Sequence, residues 1–358
     1  HRAMSMYDTL DANTRAIDST LGNVMGGLRA LMVTSKLGGT TLTTFGDHAS
    51  MKKVANMLGL SYTKSILPEY MKQLKQGATR DEALRFGLGI NEMAGSMTRF
   101  GDADIVSSAT KSGRFNARMQ AFAATTMKLS GLNAVTAGAK RALNLVHMNK
   151  LAEMTRKTDW KDLGADDLKI LQGNGISERD WQLWQQLEPS KREDGTAVLT
   201  QNDFFNAPDD VIKQFLPLDK QDSANAIADF RYKAAMKYQT HIFNEESVAI
   251  IEAGVRERSI INLGEAGTIQ GELGRTLFQF KGFPLAYMFR IGHRAFAQGD
   301  IKSRVTFLAS LLAYQTLAGA LIVQTQNLAN GKNPEPVFTI DFFGKSLLKG
   351  GGLSFLGD

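Results

Sequence analysis

A stretch of 27 residues near the end of the chain, residues 305–331, contains no charged side chain. Its first 19 residues, 305–323, are mostly apolar. A helix rises 1.5 Å per residue, so this part approaches the roughly 30 Å thickness of the hydrocarbon core of a bilayer. Because an exposed apolar run of that length aggregates in water, the segment must either enter a membrane or be covered by other helices.

The large apolar side chains of this segment are the candidates for insertion into a membrane. They are Val305, Phe307, Leu308, Leu311, Leu312, Leu317, Leu321, Ile322 and Val323. Cationic side chains upstream are candidates for contact with lipid or other phosphates, as at the ends of membrane helices. They are Lys281, Arg290, Arg294, Lys302 and Arg304. A permanently buried helix in a soluble assembly stays an open alternative, because Gln315, Gln324, Gln326 and Asn327 make the run less hydrophobic than a dedicated anchor.

Helical periodicity dominates the rest of the chain, and strand patterns are scarce. The sequence predicts an all-α fold, an elongated multi-helix assembly with at most a small β-hairpin near residues 195–201. Residues 79–82 and 177–180 match the capping-box pattern that begins helices. Residues 219–258 contain no proline and many alanine and long polar residues, which predicts a long exposed helix.

Charge and pattern divide the chain into four predicted regions. They are a basic helical region (1–158), an acidic helical insert (159–218), a long helix followed by a basic amphipathic helix (219–300), and the uncharged, possibly membrane-inserting helix with a glycine-rich tail (301–358). Residues 99–157 carry ten Lys or Arg against three Asp or Glu, a net of +7, whereas residues 159–229 carry seven against fifteen, a net of −8. Such blocks favour self-association or a face directed at a polyanion.

Patterns for catalysis or metal binding are nearly absent from the sequence. The five histidines have no metal-ligand spacing, there is no cysteine, and the glycine-rich residues 267–275 lack the Lys-Ser/Thr end of a phosphate-binding loop. Glu246-Ser247 has the acid-serine order of lytic transglycosylases. With Glu245 alongside on a polar helix, however, a solvated face is the expectation. We therefore predict no catalytic, cofactor-binding or metal-binding residue, no cofactor and no enzymatic activity in this segment.

Aromatic and cationic residues alternate before the uncharged run. Pro284 fits the first position of a helix that extends to about Ala297, on which Arg290 and Arg294 lie one turn apart. A hinge at Gly299-Asp300 would connect this helix to the uncharged run. The basic face suits an anionic membrane surface, nucleic-acid phosphates, or plain packing through its phenylalanines, and the pattern leaves all three open.

Short motifs in a fixed order resemble the C-terminal region of large internal virion proteins, the DNA-ejection or core proteins of short-tailed bacteriophages. The motifs are TSKLGG at residues 34–39 followed by Asp47, KLSGL at 128–132 followed by Thr136, Gly267-Thr268 and Gly271-Glu272 with Arg275, QFKGFP at 279–284, and GGGL at 350–353 followed by Gly357-Asp358. Neither end of the sequence has the form of a natural terminus, so we expect a piece of a longer polypeptide.

The resemblance implies a structural protein packed inside the capsid near the portal. Such a protein leaves the particle and helps to build a conduit for DNA across the host envelope. The implied partners are further copies of itself, other core and portal proteins, genomic DNA without base specificity, and the host inner membrane after ejection. The implied locations are the virion interior and then the periplasm and inner membrane of the host. No catalytic residue is carried over by the resemblance.

Two other functions stay open at this point. One is a fragment of a virion-carried enzyme, either a peptidoglycan lytic transglycosylase or a virion RNA polymerase. The other is a DNA-binding core protein in which residues 99–157 face the genome. That function predicts binding that weakens steeply with salt and does not depend on base sequence.

Overall fold

The computed structural model describes residues 18–37, 45–75, 77–88, 110–129, 132–252, 257, 259–260, 267–278, 282–296 and 301–349. Across these ranges the chain forms fifteen α-helices and one two-stranded hairpin, which confirms the predicted all-α fold. The helices are α1 (Ser19–Leu37), α2 (Phe45–Met57), α3 (Leu67–Lys75), α4 (Gly77–Arg85), α5 (Lys111–Leu129), α6 (Leu132–Lys157), α7 (Ala165–Gly173), α8 (Glu178–Gln186), α9 (Gln201–Phe205), α10 (Asp209–Lys213), α11 (Ala224–Ala249), α12 (Ile269–Phe278), α13 (Gly282–Phe296), α14 (Ile301–Ala329) and α15 (Ile340–Lys349). The strands are β1 (Ser190–Lys191) and β2 (Ala197–Val198).

The chain forms two compact units, each built from separate stretches of sequence. Unit 1 takes its described residues from His1–Ser50, Met93–Thr136 and Ile250–Asp358, and unit 2 from Met51–Glu92 and Ala137–Ala249. The four regions defined from charge and pattern divide the chain differently, and they stay a prediction.

Tryptophan and tyrosine side chains form the centre of unit 2. The predicted helix start at residue 177 is confirmed, because Ser177 and Asp180 cap each other's backbone amides at the start of α8. This helix buries Trp181 and Trp184. The Trp184 ring meets Tyr238 edge-on, with 5.1 Å between ring centroids. Aromatic side chains bury the largest apolar areas of any residue type, so this cluster supplies much of the apolar stabilisation of unit 2.

One face of helix α11 is buried in unit 2, so the prediction of a long exposed helix is wrong for that face. Ile227, Tyr238 and Ile242 are buried in the core of unit 2, and Ala235 lies with them. The Tyr238 hydroxyl donates to the backbone carbonyl of Leu199. Alanine does not separate a core face from a solvent face by its own hydrophobicity, so the buried stripe of α11 is hard to see in the sequence.

The β-hairpin lies slightly before its predicted position. Ser190 pairs with Val198 and Lys191 with Ala197 in antiparallel register. Gly195 adopts a φ of +80° in the turn, which suits a residue without a side chain. The end of the predicted range instead begins helix α9, where Thr200 and Asp203 form a capping box.

The hairpin turn is tied to the first helices of unit 2 by one arginine. The Arg192 guanidinium lies 2.9 Å from a Glu69 carboxylate oxygen on α3 and 3.0 Å from a Glu82 oxygen on α4. Helix α4 begins at Gly77, so Thr79 lies inside the helix and not at its start. The capping box predicted at residues 79–82 therefore does not begin α4.

Glycines allow close helix packing in unit 1. Helix α1 packs along α5. A Cβ atom at Gly26 would lie 3.0 Å from the Asn116 amide nitrogen, and one at Gly27 only 2.4 Å from the Phe115 ring. Helix α1 also contacts α12, where Arg29 and Glu272 form a buried ion pair with 2.5 Å between Nη1 and Oε2. The glycines at the α1–α5 contact therefore let the two helices pack more closely than residues with a side chain would allow.

Candidate membrane-contacting surface

The uncharged run forms part of one uninterrupted helix of unit 1. Helix α14 has 29 residues and begins four residues before the predicted segment. Within the described part of the chain it is the one helix long and apolar enough to cross a membrane, and 33% of its most apolar window is buried. The core helix of a soluble protein is mostly buried, so α14 differs from that class in its exposure.

One face of α14 is covered by neighbouring helices of unit 1. Helices α13 and α15 both pack against α14. Four of the nine insertion candidates are buried, namely Phe307, Leu311, Ile322 and Val323. These positions recur at helical spacing along the covered face. They hold α14 to its own unit, so they are not the residues that would first meet a lipid.

The surface of α14 that α13 and α15 leave uncovered is apolar, and it extends around more than one side of the helix. The other five candidates lie on the surface, namely Val305, Leu308, Leu312, Leu317 and Leu321. Leu317 is 65% exposed and Leu321 is 61% exposed, which is high for leucine. We call these five residues the exposed stripe. Since this stripe is not sealed within its own unit, it needs a lipid phase or another molecule to cover it.

Three amide side chains of the run, those of Gln315, Gln324 and Asn327, bond within the protein. Gln315 is buried and bonds to the Tyr287 side chain on α13. Burial raises the pKa of Tyr287 to about 12, and the bond with Gln315 opposes that rise. The amides of Gln324 and Asn327 bond to Glu335, which lies beyond the end of α14. These amides therefore lower the hydrophobicity of the α14 surface less than their number in the sequence suggested.

Glu335 joins the two last helices into a hairpin. Its backbone nitrogen donates to Gln324 Oε1 at 2.9 Å, and its carboxylate accepts from Asn327 Nδ2 at 3.1 Å and from Lys345 Nζ at 2.9 Å. The bond with Lys345 lowers the pKa of Glu335, and the same contact raises the pKa of Lys345. We call this contact set the Glu335 clasp. It fixes residues 330–339, which we call the connector, and α15 at the C-terminal end of α14.

The structure places the predicted basic contacts at two locations of unit 1. Lys302 and Arg304 lie in the first turn of α14, with Lys302 exposed and Arg304 partly exposed. Arg290 and Arg294 lie on α13, and the Arg290 guanidinium is 3.9 Å from Glu257. Lys281 lies outside the described residues. Lys302 and Arg304 are therefore the cations that the structure joins directly to the exposed stripe.

Sequence reasoning missed the connector and helix α15. Phe338 is 100% exposed and Ile340 is 91% exposed, and Phe343 on α15 is also on the surface. A signal for helix α15 was present in the sequence, because Phe342 and Ser346 are one helical turn apart and both lie on its covered face. The predicted glycine-rich tail, residues 350–358, lies outside the described residues.

Glu245 and Glu246 are both buried, so the expectation of a solvated face is wrong. Glu246 is 2% exposed and lies 3.4 Å from Lys140 Nζ, and Asn144 Nδ2 donates to it at 2.5 Å. Glu245 accepts from Asn174 Nδ2 at 2.8 Å. An ammonium and two amides thus surround the two carboxylates in the interior of unit 2. No group of three or more His, Cys, Asp or Glu side chains suitable for a metal ion occurs among the described residues.

Two histidines lie near this pair of glutamates. The rings of His147 and His241 are 5.1 Å apart between centroids and meet at 62°. Burial lowers the pKa of His147 well below 6.5, and the electrostatic interactions with His241 and Lys150 lower it further. His147 is therefore neutral at physiological pH. The arrangement is a buried polar network that connects α6 with α11.

The basic region of residues 99–157 is divided between the interior and the surface. Lys140 and Arg141 are buried, and Arg141 Nε donates to Gln73 at 3.0 Å. Lys150 pairs with Asp167 at 2.6 Å. Lys111, Arg114 and Arg118 are exposed on α5. Several cations counted in the sequence are thus engaged within unit 2, which weakens the prediction that the whole region faces DNA.

No protein family model, curated protein or solved structure matches this chain.

Proposed function

We propose that this chain is part of a structural internal virion protein that leaves a phage capsid and helps to form a conduit for DNA across the host cell envelope. The observation that carries the proposal is the exposed stripe on an uninterrupted helix with two cations in its first turn. An exposed apolar surface of this kind marks contact with a membrane or with another protein, and a protein that changes surroundings can cover it differently in each.

The energetics of α14 favour a lipid phase. Leu, Ile, Phe and Val each contribute about 0.3–0.6 kcal/mol of favourable insertion free energy near the centre of a membrane helix, so the five residues of the exposed stripe contribute roughly 2 kcal/mol. Lys302 and Arg304 extend from the helix end, where their side chains can reach lipid phosphates. Inside the capsid the same stripe would be covered by sister copies or by other core proteins.

The resemblance of the ordered motifs supports the phage part of the proposal. Under it, self-association and contact with core and portal proteins come first, and contact with the host inner membrane follows ejection. The buried, amide-bonded Glu246 gives the enzyme alternative no support, because a general acid has to reach its substrate.

Genomic DNA is a second proposed partner, and one observation favours it. Lys111, Arg114 and Arg118 recur at three- and four-residue spacing, which places them on one exposed face of α5. Three neighbouring cations suit contact with phosphates and supply no base recognition. The α5 cations thus fit a non-specific role that is subsidiary to the membrane role.

Vesicle leakage tests the membrane proposal. We expect wild-type protein to release dye from anionic vesicles, and Leu317→Arg to reduce the activity by roughly 100-fold, because arginine near a helix centre costs about 3 kcal/mol relative to leucine. Leu317 is exposed, so the substitution does not disturb the core of unit 1.

Ile269→Arg is the matched control. Ile269 is 70% exposed on α12 of the same unit, so the substitution places a positive charge on the surface of unit 1 away from the exposed stripe. Its leakage should equal that of the wild type. If Leu317→Arg releases dye as well as Ile269→Arg does, α14 is not the inserting element and the proposal fails.

A further inference from the structure

A second apolar surface follows α14 in the chain. Val337, Phe338, Ile340 and Phe343 are each more than half exposed and lie within seven residues. We call these four residues the connector cluster. Single exposed apolar side chains are ordinary on a soluble protein, but two phenylalanines and two branched aliphatic residues so close together mark a contact surface.

The position of the connector cluster relative to α14 is fixed. The Glu335 clasp bonds the connector to Gln324 and Asn327 on α14 and to Lys345 on α15. Helix α15 also packs directly on α14 and buries Phe342 and Ser346. The cluster is therefore held at the C-terminal end of α14, opposite the end that carries Lys302 and Arg304.

The length of α14 matches the thickness of a bilayer. From Lys302 to Leu328 the helix rises about 39 Å at 1.5 Å per residue. A bilayer is about 40–45 Å thick including its headgroups. When Lys302 and Arg304 reach the phosphates of one leaflet, the connector cluster falls at the headgroup level of the other.

Helix α15 is amphipathic and too short to cross a membrane by itself. Its ten residues extend about 15 Å, half of what a span needs. It exposes Phe343 together with Lys345 and Lys349. Interfacial helices place apolar side chains at the boundary between headgroups and acyl chains and direct lysines to anionic headgroups.

We infer that the connector cluster and α15 form an interfacial anchor on an anionic lipid bilayer, which holds the far end of α14 at the leaflet opposite Lys302 and Arg304. The inference rests on the proposed membrane insertion of α14. The connector cluster continues the apolar surface of α14, and α15 packs on that helix. The same bilayer can therefore cover both apolar surfaces. In this arrangement α14 crosses the bilayer, the connector cluster stays at the headgroup level, and α15 remains packed on α14.

Depth measurements with single cysteines test the anchor. The chain contains no cysteine, so Phe338→Cys, Leu317→Cys and Tyr232→Cys each give one labelling site. All three replaced side chains are exposed, and Tyr232 lies on α11 of unit 2 as the control for water. Each variant carries an environment-sensitive fluorophore and is added to phosphatidylglycerol-containing vesicles. The vesicles hold nitroxide quenchers at the headgroup, near the top of the acyl chain, or near its methyl end.

We expect position 338 to be quenched most strongly near the headgroup, position 317 near the methyl end, and position 232 by none of the three. If position 317 is not quenched by any lipid, α14 does not insert and the proposed function fails along with the anchor. If position 317 is deep but position 338 is unquenched, the anchor alone is wrong.

Two other outcomes also overturn the anchor. Quenching of position 338 near the methyl end means that the hairpin enters the hydrocarbon whole. A blue shift at position 338 that depends on protein concentration and needs no vesicles means that a second copy of the chain covers the cluster.

Discussion

At the scale of single residues, the adjacent Glu245 and Glu246 show how far a local pattern can mislead. A pair of glutamates on an alanine-rich helix favours a solvated face, yet both carboxylates are buried. The partners of Glu246 are Lys140 and Asn144, which are supplied by α6 about a hundred positions earlier in the chain. A buried charge is tolerated only when such a partner is present, and no local spacing reveals it.

Removing the Glu246 carboxylate should therefore cost far more than removing a surface carboxylate. We expect Glu246→Ala to lower the free energy of unfolding of unit 2 by about 3–5 kcal/mol, because the buried Lys140 loses this counter-charge. Glu153→Ala is the matched control, since Glu153 pairs with Lys157 on an exposed face of α6, the helix that supplies Lys140, and should cost less than about 0.5 kcal/mol. Denaturant unfolding followed by tryptophan fluorescence measures both. Equal effects would mean that the buried pair contributes no more than a surface pair.

At the scale of elements, the sequence predicts best where local chemistry decides. Ser177 and Asp180 are three residues apart and satisfy each other's backbone groups, so the start of α8 is confirmed. Helix α14 spans nearly all of the uncharged run, a feature that is read directly from the sequence and does not depend on contacts elsewhere in the chain. Glu82 looked equally local, but Arg192 from the hairpin takes its carboxylate. The connector cluster was missed because exposure depends on what packs nearby, and sequence periodicity does not record that.

The packing of α1 on α5 yields a prediction at the same scale. Alanine favours a helix interior by about 1 kcal/mol over glycine, yet we expect Gly27→Ala to destabilise unit 1 by about 1–2 kcal/mol. The added Cβ would lie 2.4 Å from the Phe115 ring and would force the two helices apart or move the ring. Gly292→Ala on α13 meets no atom within 4 Å and should stabilise instead. Thermal unfolding by circular dichroism distinguishes them, and stabilisation by both would show that α1 and α5 are not in close contact at Gly27.

At the scale of the whole molecule, the two units differ in the features that they contain. Unit 1 holds the exposed stripe, the connector cluster and the glycine contact between α1 and α5. Unit 2 holds the aromatic core and a buried polar network with His147, His241 and the two glutamates. All three tryptophans of the chain, Trp160, Trp181 and Trp184, belong to unit 2. Tryptophan fluorescence therefore reports the unfolding of unit 2 separately from that of unit 1.

That separation allows a prediction about acid. The folded-state pKa of His147 is depressed below 6.5 by burial, so the unfolded chain binds a proton before the folded unit does. Stability is then fully present above about pH 6.5 and is lost as the pH falls, with a slope that approaches about 1.4 kcal/mol per pH unit for each such histidine. His48, whose pKa burial lowers to about 4, belongs to unit 1 and leaves the tryptophan signal unaffected. The tryptophan-detected midpoint of denaturant unfolding should be lower at pH 5 than at pH 7, and His147→Gln should flatten that difference. A midpoint that stays constant or rises at pH 5 would show that His147 is not held neutral in the folded unit, because a histidine that titrates alike in both states has no effect on stability.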